Sequence, residues 1–114
     1  MIQLRNEHYE AISNDYRHRY HLDLLEMLRE SFTENLSKRS DEELLARIEF
    51  AHTQSEKQGI TDRPSIARYV ALEVMMGPNI HERKEYRQYM TESTGTTSEK
   101  LKNLYHALGN GSPR

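Results

Sequence analysis

The sequence contains no cysteine and few helix-breaking residues, with three prolines and five glycines among its 114 residues. The absence of cysteine excludes disulfide-stapled mini-domains, thiol catalysis and thiolate zinc sites, and it agrees with a reducing compartment. The prolines and glycines fall between segments of regular hydrophobic spacing, which is typical of a helical domain. We find no internal repeat and no strand-like alternation of polar and apolar residues.

The sequence also lacks an excess of positive charge and a long apolar run. With 18 acidic and 16 basic residues the formal net charge is −2, so the global positive field that drives binding to duplex DNA is missing. No apolar run approaches the ~20 residues that a membrane span needs. The segment from Met1 to Arg5 lacks the apolar stretch of a signal peptide. We therefore expect a cytoplasmic protein with no membrane partner.

What is present suffices for one small domain. Of the 114 residues, 35% are hydrophobic and 30% charged, and a chain of this size forms a single core. We predict an all-α fold, an irregular bundle of about five helices around a central apolar helix. The helical domain is expected over residues 1–109, followed by a flexible tail at residues 110–114 that has nothing to bury.

The first predicted helix runs from Asn6 to Phe32 and is apolar on two sides. One stripe recurs at steps of three and four residues and is expected to face the core. This stripe consists of Tyr9, Ile12, Tyr16, Tyr20, Leu24 and Met27. The second apolar side consists of Leu25, Leu28 and Phe32. A helix with two apolar sides is expected to pack against two partners.

Capping residues define the next two helices. Ser40 and Glu43 form a capping box, and Gly59 followed by Ile60 suits a left-handed C-terminal cap. The buried face of this second helix is predicted to consist of Leu44, Ile48 and Ala51, with Leu45 beside them. The third helix is capped by Thr61 or Asp62, admits Pro64 in its first turn and ends at Gly77-Pro78. It is apolar nearly all round, which identifies it as the central helix.

Two shorter helices complete the prediction. The fourth, about Glu82 to Met90, is mostly charged and is expected to lie on the surface. Thr96 and Glu99 form a second capping box before the fifth helix, which is predicted to stop at Gly109.

The order of these motifs resembles a known group of proteins. The motifs are Ser-Asp-Glu-Glu-Leu at residues 40–44, Gly-Ile-Thr at 59–61, Ile-Ala-Arg-Tyr-Val at 66–70, Gly-Pro at 77–78 and Leu-x-x-Leu-Tyr at 101–105. In this order the chain is similar to small helical accessory proteins, and to the C-terminal helical modules of adaptor and chaperone proteins, from bacterial type VI secretion effector clusters. The resemblance implies a protein-binding role and carries no catalytic residues.

Metal and catalytic sites are weakly indicated. His18 and His21 stand three residues apart on one helix, but two ligands do not make a metal site, and solvated histidines are the better interpretation. Glu73 lies on the apolar helix, where burial would favour a raised pKa and an acid or base role; pairing with an Arg, His or Tyr is the commoner arrangement. We expect no catalytic residue, no metal and no cofactor.

Two patterns invite a nucleic-acid hypothesis. The basic run Arg17 to His21 alternates with Tyr16 and Tyr20, but we expect these tyrosines to pack in the core. Gly59 to Asp62 could be the turn of a helix-turn-helix, yet the helix that follows is too apolar to read bases. Nucleic acid is therefore a disfavoured partner.

Apolar residues in excess of one small core fit two interpretations equally well: packing between the helices absorbs them all, or a protein partner covers them. We predict that the partner site consists of Leu25, Phe32, Phe50, Met75 and Met76. The hypothesis is a non-enzymatic adaptor that holds an effector or a secretion component, with a homodimer explaining the same excess equally well. An immunity protein that neutralises a toxin and a small DNA-binding regulator are the alternatives.

Overall fold

The computed structural model describes the backbone of residues 2–110 and the side chains of residues 16–108. This part of the chain contains six α-helices, one short 3-10 turn and no strand, which confirms the all-α class. The helices are α1 (Ile2–Ser31), α2 (Thr33–Leu36), α3 (Asp41–Lys57), α4 (Arg63–Met76), α5 (Lys84–Glu92) and α6 (Thr97–Asn110), and the 3-10 turn is Ile80–Glu82.

The first predicted helix is interrupted near its end. Phe32 adopts φ −129° and ψ 51°, outside the helical region, so α1 stops at Ser31 and the one-turn helix α2 follows. The sequence pattern predicts a single helix that continues through Phe32, and it does not predict α2. Tyr9 and Ile12, two members of its predicted core stripe, lie outside the side chains described.

The caps of α3 form at the predicted positions. The Ser40 hydroxyl accepts a hydrogen bond from the Glu43 amide at 3.1 Å. The Glu43 carboxylate accepts from Arg39 at 3.1 Å, so only half of the capping box is made. At the other end Gly59 has φ +83°, and the Ile60 amide donates to the Ser55 carbonyl at 3.1 Å, which is the predicted left-handed cap.

The central position of α4 is confirmed. The Asp62 carboxylate accepts from the Ser65 amide at 3.1 Å and starts the helix. From there α4 packs against α3 on one side and α6 on the other. Its buried residues therefore occupy nearly the whole circumference: Ser65, Ile66, Tyr69, Val70, Ala71, Leu72, Glu73 and Val74.

The C-terminal part follows the prediction with two differences. The fourth helix, predicted at about Glu82 to Met90, is α5, which begins and ends two residues later, and the 3-10 turn Ile80–Glu82 precedes it. The capping box before α6 is complete, since the Thr96 amide donates to Glu99 at 2.9 Å and the Glu99 amide donates to Thr96 at 3.1 Å. Helix α6 continues through Gly109 to Asn110, because a glycine in a last turn costs only about 1 kcal/mol. The rest of the predicted tail lies outside the described residues.

The buried face of α1 differs from the predicted one. Tyr16 is 60% exposed, and Tyr20 and Met27 are only partly buried. The side chains that α1 and the residue after it bury are His21, Leu24, Leu25, Leu28 and Phe32. The physical reason is that α1 has two neighbours. It packs antiparallel to α3, as the pairs Arg17–Glu56, His21–His52 and Arg29–Asp41 show. Phe32 beyond its end meets Tyr105 of α6 edge-on, with ring centroids 6.3 Å apart.

No helix within residues 2–110 is long and apolar enough to cross a lipid bilayer.

Val70 tests the central place of α4. Its side chain is 0% exposed, and burying an unpaired charge there costs several kcal/mol of the ~5–15 kcal/mol that stabilises a domain. We expect Val70→Asp to abolish the cooperative thermal melt measured by circular dichroism. Leu22→Asp, at a position that is 43% exposed, is the control and should melt like the wild type. A near-wild-type melt for Val70→Asp would show that α4 is not central.

Candidate functional site

The structure separates the five residues predicted to bind a partner. Leu25 and Phe32 are 9% and 7% exposed and belong to the core, so the expectation that they are free for a partner is wrong. They are buried because Phe32 reaches α6 and Leu25 lies on the side of α1 that faces the bundle. Phe50 is 38% exposed and Met76 is 44% exposed, while Met75 is partly buried against the core. The partner hypothesis therefore depends on Met76 and Phe50.

Met76 lines an apolar groove where α4, the 3-10 turn, α5 and α6 meet. The groove has a volume of about 270 Å³. Its apolar walls come from α4, the turn, α5 and α6 in that order: Leu72 and Met76, Ile80, Tyr86, and Leu104. Arg83 and Glu85 stand at the same groove as its charged residues. Because four segments contribute, the groove exists only in the folded chain.

Arg83 closes the end of α4 beside this groove. Its guanidinium donates a hydrogen bond to the Met76 carbonyl at 2.5 Å, one of the carbonyls that the end of a helix leaves without a partner. Gly77, with φ +115°, makes room for it, since a Cβ there would come within 2.9 Å of the Arg83 Nη2 atom. The backbone conformation therefore favours glycine at this position, whereas the tip of the flexible Arg83 side chain could shift to admit a Cβ.

A buried carboxylate organises the turn that forms one wall of the groove. Glu73 is 1% exposed, and its Oε2 atom accepts a hydrogen bond from the Tyr69 hydroxyl at 2.6 Å. Its Oε1 atom accepts from the backbone amide of Asn79 at 3.2 Å. The Tyr69 oxygen accepts from Gln58 at 3.0 Å and lies 3.2 Å from His81 Nδ1. Together these contacts attach the turn after α4 to the helix itself.

The two tyrosines near Glu73 differ in whether their hydroxyl groups have a hydrogen-bond partner. Burial and the hydrogen bond to Glu73 raise the pKa of Tyr69 far above its usual range, so this hydroxyl is a neutral donor. Burial and the negative charge of Glu73 raise the pKa of Tyr86 to about 12. The Tyr86 hydroxyl is buried without a hydrogen-bond partner. Glu73 is therefore paired with a tyrosine, since Tyr69 is its main hydrogen-bond donor. Pairing of this kind is the alternative to an acid or base role that the sequence left open.

A second polar cluster joins α1 to α3. His21 Nε2 lies 2.8 Å from His52 Nδ1, and both side chains are buried. Arg17 binds Glu56 at 3.2 Å on the solvent side of this pair. Next to it is an open cavity of about 210 Å³ lined by His52 and by side chains of α1, of the loop before α4 and of the first turn of α4, among them the aliphatic Ile66.

The positions of His18, His21, Tyr16 and α4 can be compared with the metal and nucleic-acid hypotheses. His18 is exposed while His21 turns inward to His52, and residues 16–108 contain no group of three or more His, Cys, Asp or Glu arranged around a metal position. Tyr16 is exposed, so the expectation that this tyrosine packs in the core, on which the argument against base stacking depended, is wrong. Burial of α4 between α3 and α6 removes it as a recognition helix.

Sequence reasoning missed most of the groove. Of the residues that line the groove, only Met76 belongs to the predicted partner site, and the sequence pattern does not predict that α4, the 3-10 turn, α5 and α6 meet there. The available signal was the pair Met75-Met76 immediately before a glycine, which marked the exposed end of the apolar helix.

Comparison with known proteins gives no relative: no family, no curated protein and no solved structure matches this chain.

Tyr69 and Tyr86 provide a matched test of the Glu73 cluster. Tyr69→Phe leaves the buried Glu73 Oε2 atom without its donor, which is expected to cost ~1–3 kcal/mol. The melting temperature should fall by roughly 4–8 °C per kcal/mol. Tyr86→Phe removes a hydroxyl that has no partner, so it should be neutral or stabilising. Equal melting temperatures for the two variants would contradict the role given to Glu73.

Proposed function

We propose that this chain is a non-enzymatic protein-binding module that receives an apolar side chain of its partner in the groove between α4, the 3-10 turn, α5 and α6. The observation that carries the proposal is the groove itself, whose walls are five apolar or aromatic residues from four segments, with Met76 44% exposed beside it. An exposed methionine adapts its shape to a partner surface at little cost.

The lining of the groove fits a protein anchor. Its volume of about 270 Å³ is close to the lower end of the ~300–1,000 Å³ of pockets that enclose drug-sized ligands and cofactors, so the lining of the groove, and not its volume, supports a protein anchor. An interface hot spot is an aromatic or aliphatic side chain inserted into an apolar pocket and surrounded by polar contacts. Arg83 and Glu85 supply such a polar surround.

The finer proposal follows the order of helices and motifs. In that order the chain resembles accessory and adaptor modules of type VI secretion effector clusters, so we propose that the partner is an effector or a secretion component held in the cytoplasm before delivery. Immunity binding to a toxin would use a protein interface as well, and the identity of the partner distinguishes the two. A second copy of this chain is a further outcome that the same experiment detects.

Met76→Asp tests the docking site. The chain is co-expressed with each product of its flanking genes, and association is measured by co-purification and by light scattering. Placing a carboxylate in the groove should weaken binding at least about tenfold, which corresponds to ~1.4 kcal/mol. The melting temperature should stay near the wild-type value because Met76 is exposed.

Leu22→Asp is the matched control, since Leu22 is 43% exposed and Met76 is 44% exposed. The control should retain binding. Binding that survives Met76→Asp, or that Leu22→Asp abolishes equally, would contradict the groove as the docking site. Loss of binding on Phe50→Ser alone would move the site to the exposed face of α3.

A further inference from the structure

The contact between α1 and α3 is built around two histidines. His21 on α1 is 5% exposed and His52 on α3 is 7% exposed, and the two rings meet edge to face with their centroids 5.1 Å apart. His21 Nε2 and His52 Nδ1 are 2.8 Å apart, which is a hydrogen bond with one ring as donor and the other as acceptor. At least one of the two rings must therefore be neutral.

We propose that the His21–His52 pair is a proton-operated latch: with both rings neutral it holds α1 on α3, and acidification releases α1 while α3, α4 and α6 stay packed. A pair in which both rings are protonated has two donors and no acceptor across 2.8 Å. It also places two positive charges in contact inside the bundle, where solvent screens them less than at the surface.

The charges that face the pair give it no net compensation. They come from α1, α3 and the first turn of α4: Arg17, His18, Glu49, Glu56 and Arg63. The two arginines oppose protonation and the two glutamates favour it. Glu56 also binds Arg17 at 3.2 Å, and its Oε2 atom lies 3.5 Å from His52 Nε2. One carboxylate can support a first proton on His52, but a second proton on His21 then meets His52 and Arg17.

The same surroundings explain the titration of both rings. Burial, followed by the charges of His52 and Arg17, lowers the pKa of His21 from 6.5 to about 4. Burial, followed by the charge of Arg17, also lowers the pKa of His52. Because the unfolded chain takes up these protons first, the stabilisation is complete above pH 6.5 and is lost as the pH falls from there toward about 4.

Release can be confined to α1 because the rest of the bundle has its own contacts. Helix α4 packs against α3 and α6, and the Glu73 cluster attaches α4 to the turn that follows it. The other polar contacts between α1 and α3 join Arg17 to Glu56 and Thr53, and Arg29 to Asp41. The two ion pairs among them are at the surface, where ion pairs contribute little. Opening of the latch would uncover Leu24 and Leu28 of α1.

The absence of cysteine makes the distance between the helices directly measurable. Asp23→Cys on α1 and Ala46→Cys on α3, both at exposed positions, allow two spin labels on the full chain. The label distance is measured from neutral pH down to about pH 4. We expect a single short distance at neutral pH and a longer, broader distribution on acidification, fully reversed when the pH is raised.

The matched variant is His21→Leu with His52→Leu, which replaces the pair by apolar side chains that do not titrate. Its label distance should stay short over the same range, whereas His18→Gln, at an exposed position, should behave like the wild type. A wild-type distance that does not change, or a double variant that opens at the same pH, would overturn the proposal.

Histidine NMR on the unlabelled wild-type chain keeps the proposal testable if the double variant does not fold. The pKa values of His21 and His52 should both lie below the ordinary histidine value of 6.5, with that of His21 at about 4. Ordinary titration of both rings would overturn the latch.

Discussion

The carboxylate of Glu73 is the constraint on which the C-terminal half of this molecule depends. A charged oxygen that is 1% exposed must be satisfied by donors, and here the donors are the Tyr69 hydroxyl on the same helix and the Asn79 amide beyond it. Hydrogen bonds to a charged group contribute ~1.5–3 kcal/mol each. The Asn79 amide reaches Glu73 because the chain turns sharply after α4, and Gly77 and the left-handed Asn79 at φ 59° allow that turn.

This turn connects the buried polar cluster to the proposed docking site. It places Ile80 against the end of α4 and directs α5 so that Tyr86 is buried, and both residues line the groove next to Met76. The polar cluster thus lies behind an apolar surface, which is an arrangement that specifies one geometry for the groove. A partner would meet a preformed pocket, and preformed pockets reduce the ordering cost of binding.

The helix caps, the central position of α4 and the buried face of α1 show how much of the fold the sequence could predict. Caps are local, so Ser40, Gly59 and the Thr96–Glu99 box could be predicted directly, and the cap of α4 could be narrowed to Thr61 or Asp62. The apolar circumference of α4 indicated its central position. The face of α1 was ambiguous because Leu25 and Leu28 offered a second apolar side, and only the positions of α3 and α6 decide between the two.

The candidate site was harder to predict for a related reason. Met76 stood out locally as an exposed methionine at a helix end, whereas Leu25 and Phe32 were misassigned because their burial depends on distant segments. The groove joins residues as far apart as Leu72 and Leu104, and the His21–His52 contact spans 31 residues. Periodicity within one helix carries no information about such contacts.

Hydrogen exchange at the Asn79 amide tests the role of Glu73 most directly. Asn79 is an exposed turn residue whose amide donates to the buried Glu73 carboxylate. The account predicts that this amide exchanges at least about tenfold more slowly than an unprotected one, an opening free energy of ~1.4 kcal/mol or more, and that Glu73→Leu removes the protection while α3 amides keep theirs. An Asn79 amide that exchanges at the unprotected rate in the wild-type chain would contradict it.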